Sequence, residues 1–268
     1  MLNTIFATKG GMSQVWTKQG KRLPVTKCMV DDNVVLGQQK STAIDYHNNT
    51  RKQQPCLIFE IGYGKKKLKN TPKPLREKIK KSGFSFGVKQ IKGIRYLLQD
   101  KEDEKDLKLK PGTKIDLSEI LEVGDIVKVQ GTSKGRGFAG VIKRHGMHGG
   151  NRTHGQSDRE RAPGSIGAMT DPGRVHRGKK MPGHYGVETK TVANLTIAHL
   201  DPEKKEVWLT GPIPGYRGSI VRIVKTGEKK ELELDPQASG IEIKDNQKEK
   251  QDKEQQEPKN KKNQKKDK

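Results

Sequence analysis

Between residues 131 and 186 the chain offers a hydrophobic core almost nothing to use. The stretch reads GTSKGRGFAGVIKRHGMHGGNRTHGQSDRERAPGSIGAMTDPGRVHRGKKMPGHYG. Thirteen glycines fall between 131 and 183, and eleven Lys and Arg are spaced among them against Asp158, Glu160 and Asp171. No helical or alternating apolar pattern survives beyond 138–142. Fixing one residue's backbone costs about 1–2 kcal/mol, and a segment this poor in apolar groups cannot offset that by burial. It is also too long for an ordinary connection in a compact domain. The physical resolution is an outside partner that is densely negative and irregular in shape, and folded RNA fits that description best.

The rest of the composition agrees. The 268 residues carry a formal net charge of +23, with only 29% apolar and 4% aromatic residues. The core must therefore be modest, with part of the chain outside it. The charge is localised: residues 64–92 are net +10, 131–186 net +8 and 244–268 net +4, which leaves the remainder close to neutral. A near-neutral body with basic appendages suggests a small folded module that grips a polyanion with extensions. Two cysteines, Cys28 and Cys56, imply reduced thiols rather than a disulfide framework. No apolar run approaches the roughly 20 residues of a membrane span. The first ten residues show neither a secretory signal nor an Arg-rich transit peptide, so the expected location is cytoplasmic.

Along the chain, strand-like runs occupy 2–8, 13–17, 22–30 and 56–62, with Gly10-Gly11, Gly20 and Asp31-Asp32 as turns between them. Residues 72–81 predict a short basic helix that starts on Pro72 and stops at Ser82-Gly83. Residues 101–106 read as a polar surface loop. The run 115–121 leads into 123–130, which alternates as a half-buried strand does. Strands resume at 189–200, 206–210 and 219–224. The fold class is thus mainly β, with an antiparallel barrel or sandwich interrupted by one long excursion. The expected division is a globular domain from 1–130 with 187–243, an inserted basic helix-containing unit at 64–124, the extension at 131–186 and a disordered charged tail at 244–268.

Two motifs invite sharper readings. Gly135-Arg136-Gly137-Phe138-Ala139-Gly140 is literally G-x-G-x-x-G and follows a predicted strand. A dinucleotide site needs a helix starting there, however, and Gly146, Gly149 and Gly150 deny one of useful length. His145, His148, His154, His176 and His184 form the densest chemical cluster. They lie among glycines with no cysteine near, and Asp158 and Glu160 are flanked by Arg159 and Arg161, so base stacking and phosphate contact explain them better than a metal. No metal or cofactor is expected. The residues placed on RNA are Lys134, Arg136, Lys143, Arg144, His145, His148, Arg152, His154, Arg159, Arg161, Arg174, His176, Arg177, Lys179 and Lys180. Flexible backbone lets each find its own phosphate, and glycine permits close approach. No paired carboxylates, triad or credible metal cluster suggests an enzyme.

The run 131–144 (GTSKGRGFAGVIKR), followed by RAPGSIGAMTDPGRVHRGKKMPG, resembles the ribosomal protein L3 (uL3) family of the large subunit, bacterial type. KGGMSQVW at 9–16 and LPVT at 23–26 resemble that family's opening strands, and 192–201 and 209–218 its closing ones. The similarity spans roughly 1–225 and is weakest over 64–110. The resemblance implies a β-barrel on the subunit exterior and an extension entering the large-subunit rRNA. Its tip, Ser165, Ile166, Gly167, Ala168, Met169, Thr170 and Asp171, would lie near the peptidyl transferase centre. It further implies early binding during subunit assembly, with proteins L14 and L19 as neighbours. Some relatives carry a methylated Gln in the tip; the PGSIG alignment puts Thr170 there, which cannot take that modification. The alternative from another class is a general RNA chaperone with a basic disordered arm.

Overall fold

A computed structural model describes residues 3–47, 50–97 and 109–240. The loop expected at 101–106 and the tail expected at 244–268 lie outside the described residues. The chain is mainly β, and every strand pair is antiparallel.

Twelve strands and three short α-helices are described. They run β1 (Thr4–Trp16), β2 (Arg22–Met29), β3 (Asn33–His47), β4 (Thr50–Lys66), α1 (Lys73–Lys81), β5 (Gly87–Leu97), β6 (Lys114–Ile115), α2 (Leu117–Ile120) and β7 (Asp125–Thr132). Then come β8 (Phe138–Ala139), α3 (Val141–His145), β9 (Gly183–His184), β10 (Thr189–Asp201), β11 (Glu206–Thr210) and β12 (Ile220–Lys229). Six strands close on themselves in the order β1-β12-β7-β10-β11-β2, so that β1 pairs with both β12 and β2. A second sheet has the order β5-β4-β3-β6.

The alternation of β7 explains its place in the ring. Asp125, Val127, Val129 and Gly131 are buried on one face, and Val221 and Ile223 of β12 meet them. In β1, by contrast, Thr4, Ile5, Phe6 and Ala7 are all buried. Both faces of that strand are covered, because the second sheet packs on the ring. Leu57, Phe59, Ile61 and Tyr63 recur at every second position of β4 and join Ile5, Phe6, Val129 and Ile223 in one core cluster. On the far side of the second sheet, Val34, Leu36 and Val88 bury Ile79 of α1.

Polar groups fix how the sheet sits on the ring. The buried Asn33 side chain donates from Nδ2 to Phe6 O at 3.1 Å and accepts from Phe6 N at 3.1 Å. Tyr63, also buried, shares a 2.7 Å hydrogen bond with Thr8 Oγ1 and donates to Met29 O at 3.2 Å. Asp32 binds Lys65 Nζ at 2.9 Å and also Lys205, tying the β10–β11 turn to the second sheet. Inside the ring wall, the fully buried Asp125 accepts from Lys225 Nζ at 2.8 Å and from Glu122 N at 2.8 Å.

One expectation needs correction. Gly10-Gly11 is not a turn: β1 runs through it, with a bulge between Lys9 and Met12. A Cβ on Gly10 would stand 2.7 Å from Lys27 O, so the glycine serves close strand approach instead. Residues 33–47, for which no element was expected, form β3 and pair along their length with β4. The second sheet takes its long hairpin from β3 and β4, which lie mostly ahead of residue 64. The helix expected at 72–81 is observed as α1, with Pro72 as its N-cap.

Bonds from Lys205, then from Lys65, hold the Asp32 carboxyl down at about 2, against the opposing effect of its burial. The unfolded value is about 3.9. A depressed carboxylate contributes stability that is fully present above the unfolded value and is lost as pH falls through the folded one. Asp32→Asn should therefore lower the melting temperature at pH 7. The gap to the parent should hold down to about pH 4 and close between there and about pH 2, as followed by circular dichroism melts across that range.

Candidate nucleic-acid interface

The segment 131–186 leaves the ring between two neighbouring strands. Thr132 of β7 lies opposite Thr189 of β10, and Gly131 opposite Lys190. From that root the two halves stay zipped for a short distance. Ser133 N donates to Glu188 O at 2.8 Å, Arg136 N to Tyr185 O at 2.8 Å and Tyr185 N to Gly137 O at 2.9 Å. β8 then pairs with β9, Phe138 opposite His184. Gly186 makes this neck possible: its φ is +85°, and a Cβ there would stand 2.2 Å from Lys134 O.

Past the neck, α3 buries Val141 and ends on Gly146 in the left-handed conformation. Arg144 Nη1 donates to Met181 O at 2.9 Å, and His145 Nε2 lies 3.0 Å from the same oxygen. A carbonyl only accepts, so that ring carries a proton on Nε2. These two residues, expected on RNA, hold the outgoing and returning chains together. A further tie joins Gly150 N to Glu160 O at 2.8 Å.

Beyond the neck the chain stands open. From 151 to 180 no residue is buried, and only Gln156 and Glu160 are partly covered. The expected RNA contacts Lys134, Arg136, Lys143, His148, Arg152, His154, Arg159, Arg161, Arg174, His176, Arg177, Lys179 and Lys180 are all exposed. Two of these cations have carboxylate partners, Arg152 with Glu160 at 2.7 Å and Arg159 with Asp158 at 4.0 Å. Such exposed pairs are worth about 0–1 kcal/mol, so a phosphate can displace them. Among the described residues, Lys134, Arg136, Lys143, Arg161, Arg174, Arg177, Lys179 and Lys180 have no ion pair. The Arg136 guanidinium lies over the Tyr185 ring, 5.2 Å from its centroid.

The turn at 165–175 is of a different character. Ser165 Oγ donates to Gly167 O at 2.8 Å, and Ser165–Met169 with Gly173–Val175 line a shallow concavity. Met169 is 94% exposed and Ile166 46%. Uncovered apolar groups at the far end of a polar arm are unfavourable in water and favourable against a shape-matched surface.

One contributor was not legible in the sequence. Lys9 Nζ donates to Ile213 O at 2.6 Å and Gly215 O at 2.9 Å, fastening the 211–219 loop beside the root of the extension. Burial, then the nearby Lys134 charge, lowers the pKa of its ammonium. No spacing rule links residues so far apart in the chain. Among the described residues, no three His, Cys, Asp or Glu side chains are grouped as metal ligands. Burial pushes the Cys28 thiol up to about 12, which keeps it protonated and unreactive.

Arg144→Ala should loosen the neck while leaving the ring intact. Losing a charged hydrogen bond of this kind costs about 1.5 kcal/mol, so the Arg136 and Tyr185 amides should exchange roughly tenfold faster. The Val129 and Ile223 amides should not change. Native-state hydrogen exchange by NMR reads both.

Comparison with known proteins identifies the family. A family model described as "Ribosomal protein L3" matches residues 105–227, which includes all of 131–186 and leaves 64–92 outside. The chain is 38% identical over 225 residues to the large ribosomal subunit protein uL3 of Chlorobium phaeovibrioides, covering 84% of this chain and 99% of that one. It is 39% identical over 221 residues to the uL3 of Persephonella marina, covering 82% and 88%. It is 38% identical over 228 residues to the uL3 of Dehalococcoides mccartyi, covering 85% and 100%. A likeness at this level over more than four fifths of the chain shows that it belongs to the ribosomal protein L3 family, uL3, of bacterial type.

Proposed function

We propose that the chain is a structural constituent of the large ribosomal subunit and that residues 131–186 are its rRNA-penetrating extension. The carrying observation is the exposed, unneutralised set of cations on that segment, mounted on a hydrogen-bonded neck. The body formed by 1–130 and 187–243 is a β-barrel with its companion sheet, resting on the subunit exterior. The charged tail at 244–268 makes non-specific contact at most. The protein does no chemistry of its own: the L3 family is structural.

The division of labour follows the charge. Arg159, Arg161, Arg174, Arg177, Lys179 and Lys180 hold phosphates of the large-subunit, 23S-type rRNA, with Lys134, Arg136, Lys143 and Arg152 nearer the ring. His148, His154 and His176 add stacking or phosphate contact. Ser165, Ile166, Gly167, Ala168, Met169, Thr170 and Asp171 carry no cation. They pack by shape against RNA near the peptidyl transferase centre, supporting RNA that performs the reaction. Binding occurs early and nucleates subunit assembly, with L14 and L19 as protein neighbours.

Binding to large-subunit rRNA should weaken steeply with salt. For about 6–10 neutralised phosphates, the slope of log affinity against log salt should be on the order of −4 to −9. Arg174→Glu with Lys179→Glu should cut affinity and subunit incorporation, as read by filter binding and gradient profiles. Met169→Trp should leave both nearly unchanged and alter peptide-transfer rate in assembled subunits. Tip substitutions that abolish binding while the flank reversals stay silent would invert the assignment. Equal association with unrelated folded RNAs would favour a general chaperone.

A further inference from the structure

The extension is not the most concentrated charge in the molecule. Residues 64–92 carry eleven Lys and Arg against the single acidic Glu77. The structure folds them into successive ordered elements, the end of β4, a 3-10 turn at Leu68–Asn70, α1 and the start of β5. Ile79 of α1 is buried against Val34, Leu36, Phe84 and Val88, with Leu75 packed beside it. Arg76 is turned inward and clamps the preceding turn, its Nη2 donating to Lys69 O at 3.1 Å and Thr71 O at 3.2 Å. Lys66, Lys67 and Lys69 are therefore held at one end of α1, and Lys80 and Lys81 at the other, all exposed.

A solvated helix face normally interleaves acids with bases. Here three lysines find carboxylates: Lys65 on Asp32, Lys78 on Glu60 and Lys89 on Asp31. Among the described residues, Lys66, Lys67, Lys69, Lys73, Lys80 and Lys81 have no ion pair. Like charges fixed this densely on a packed surface repel one another in the free protein, and a polyanion removes that penalty.

The residue types narrow the partner further. The outward cations of this face are lysines, which act as point charges on phosphates, while the one Arg with a forked head is used internally. Single-stranded RNA is gripped by exposed aromatic rings, but Phe84 is buried and Phe86 is packed on it, 5.4 Å between ring centroids. A nine-residue helix is about 13 Å long, and a duplex presents one charge per roughly 1.7 Å of axis, so several phosphates face it at once.

We propose that the α1 face is a second RNA-binding surface, which lies along the backbone of a duplex segment separate from the RNA around 131–186. This rests on the rRNA reading above. The test is directed hydroxyl-radical cleavage from an iron chelate tethered at Lys81→Cys, and separately at Arg177→Cys, in complexes of the full chain with large-subunit rRNA. Cys28 and Cys56 are buried, so the tether goes to the introduced thiol. Cuts from position 81 should fall on both strands of a duplex and not coincide with cuts from position 177. A variant with Lys66, Lys69, Lys80 and Lys81 each changed to Glu should bind at least tenfold more weakly, with a shallower salt slope, a melting temperature no lower than the parent's and intact cutting from 177. Cuts from 177 alone, or cuts from 81 confined to unpaired RNA, overturn the proposal. Silence from both positions overturns the rRNA reading together with this one.

Discussion

Everything that reaches outward depends on one constraint: β7 and β10 are neighbours in the ring. Closing a long flexible loop has an entropic cost that grows only slowly, by about 0.6 kcal/mol for each doubling of length. The ladder from Gly131–Lys190 through Thr132–Thr189 already holds the ends together as part of the body. The bonds at Ser133, Arg136 and Tyr185 extend that closure outward, and β8 with β9 continues it. Arg144 and His145 on Met181 O are its last substantial tie before the open arm. The extension is thus aimed by the ring and stiff at its base, although it has no core of its own.

The ring in turn needs its seam sealed. β1 pairs with β12 through residues 4–8 and with β2 only from Thr8 onward. At Phe6 the edge facing the departing β2 would leave a buried amide and carbonyl without partners, each costing about 1–3 kcal/mol. The Asn33 side chain satisfies both. It opens β3, so the residue that closes the ring also starts the second sheet. Tyr63 works the same join from β4, with its hydroxyl between Thr8 and Met29. Burial raises that phenol to about 12, so it stays protonated and able to donate. Two polar side chains thereby set the angle between layers that apolar packing alone would leave free.

How much of this could be read from the chain follows from where the physics is local. The strand β7 announces itself by alternation, β10, β11 and β12 by β-rich composition, and α1 by Pro72 at its start and Ser82-Gly83 at its stop. The exposure of 151–180 follows from composition alone. What escaped was non-local. The sequence NVVLGQQKSTAIDYH is a strand because β4 lies along it, and no short-range pattern states that. Gly10-Gly11 has the composition of a turn but lies in a bulge of β1, where Lys27 O on the neighbouring strand leaves no room for a Cβ on Gly10. Arg144 and His145 look like phosphate ligands, since nothing in their spacing reveals Met181 O, thirty-seven and thirty-six residues on. The L3 resemblance rested on the extension and on the opening and closing strands, the parts where spacing is constrained by contact.

The same side chain, lysine, does two kinds of work here, and its partner decides which. Lys225 meets the buried Asp125, and the exposed Lys65 and Lys205 converge on the largely covered Asp32; these pairs strengthen the joins between elements. Removing Asp125 would strand Lys225, which is only 25% exposed, without an anion. The lysines of the extension and, Lys78 apart, those of α1 have no such partner and are exposed. Their mutual repulsion disfavours the free protein and favours any state in which counterions on a polyanion are released. A chain of net +23 can therefore have a nearly neutral body and still present unpaired basic surfaces, because its carboxylates are placed where the fold needs them and are scarce on the extension and α1.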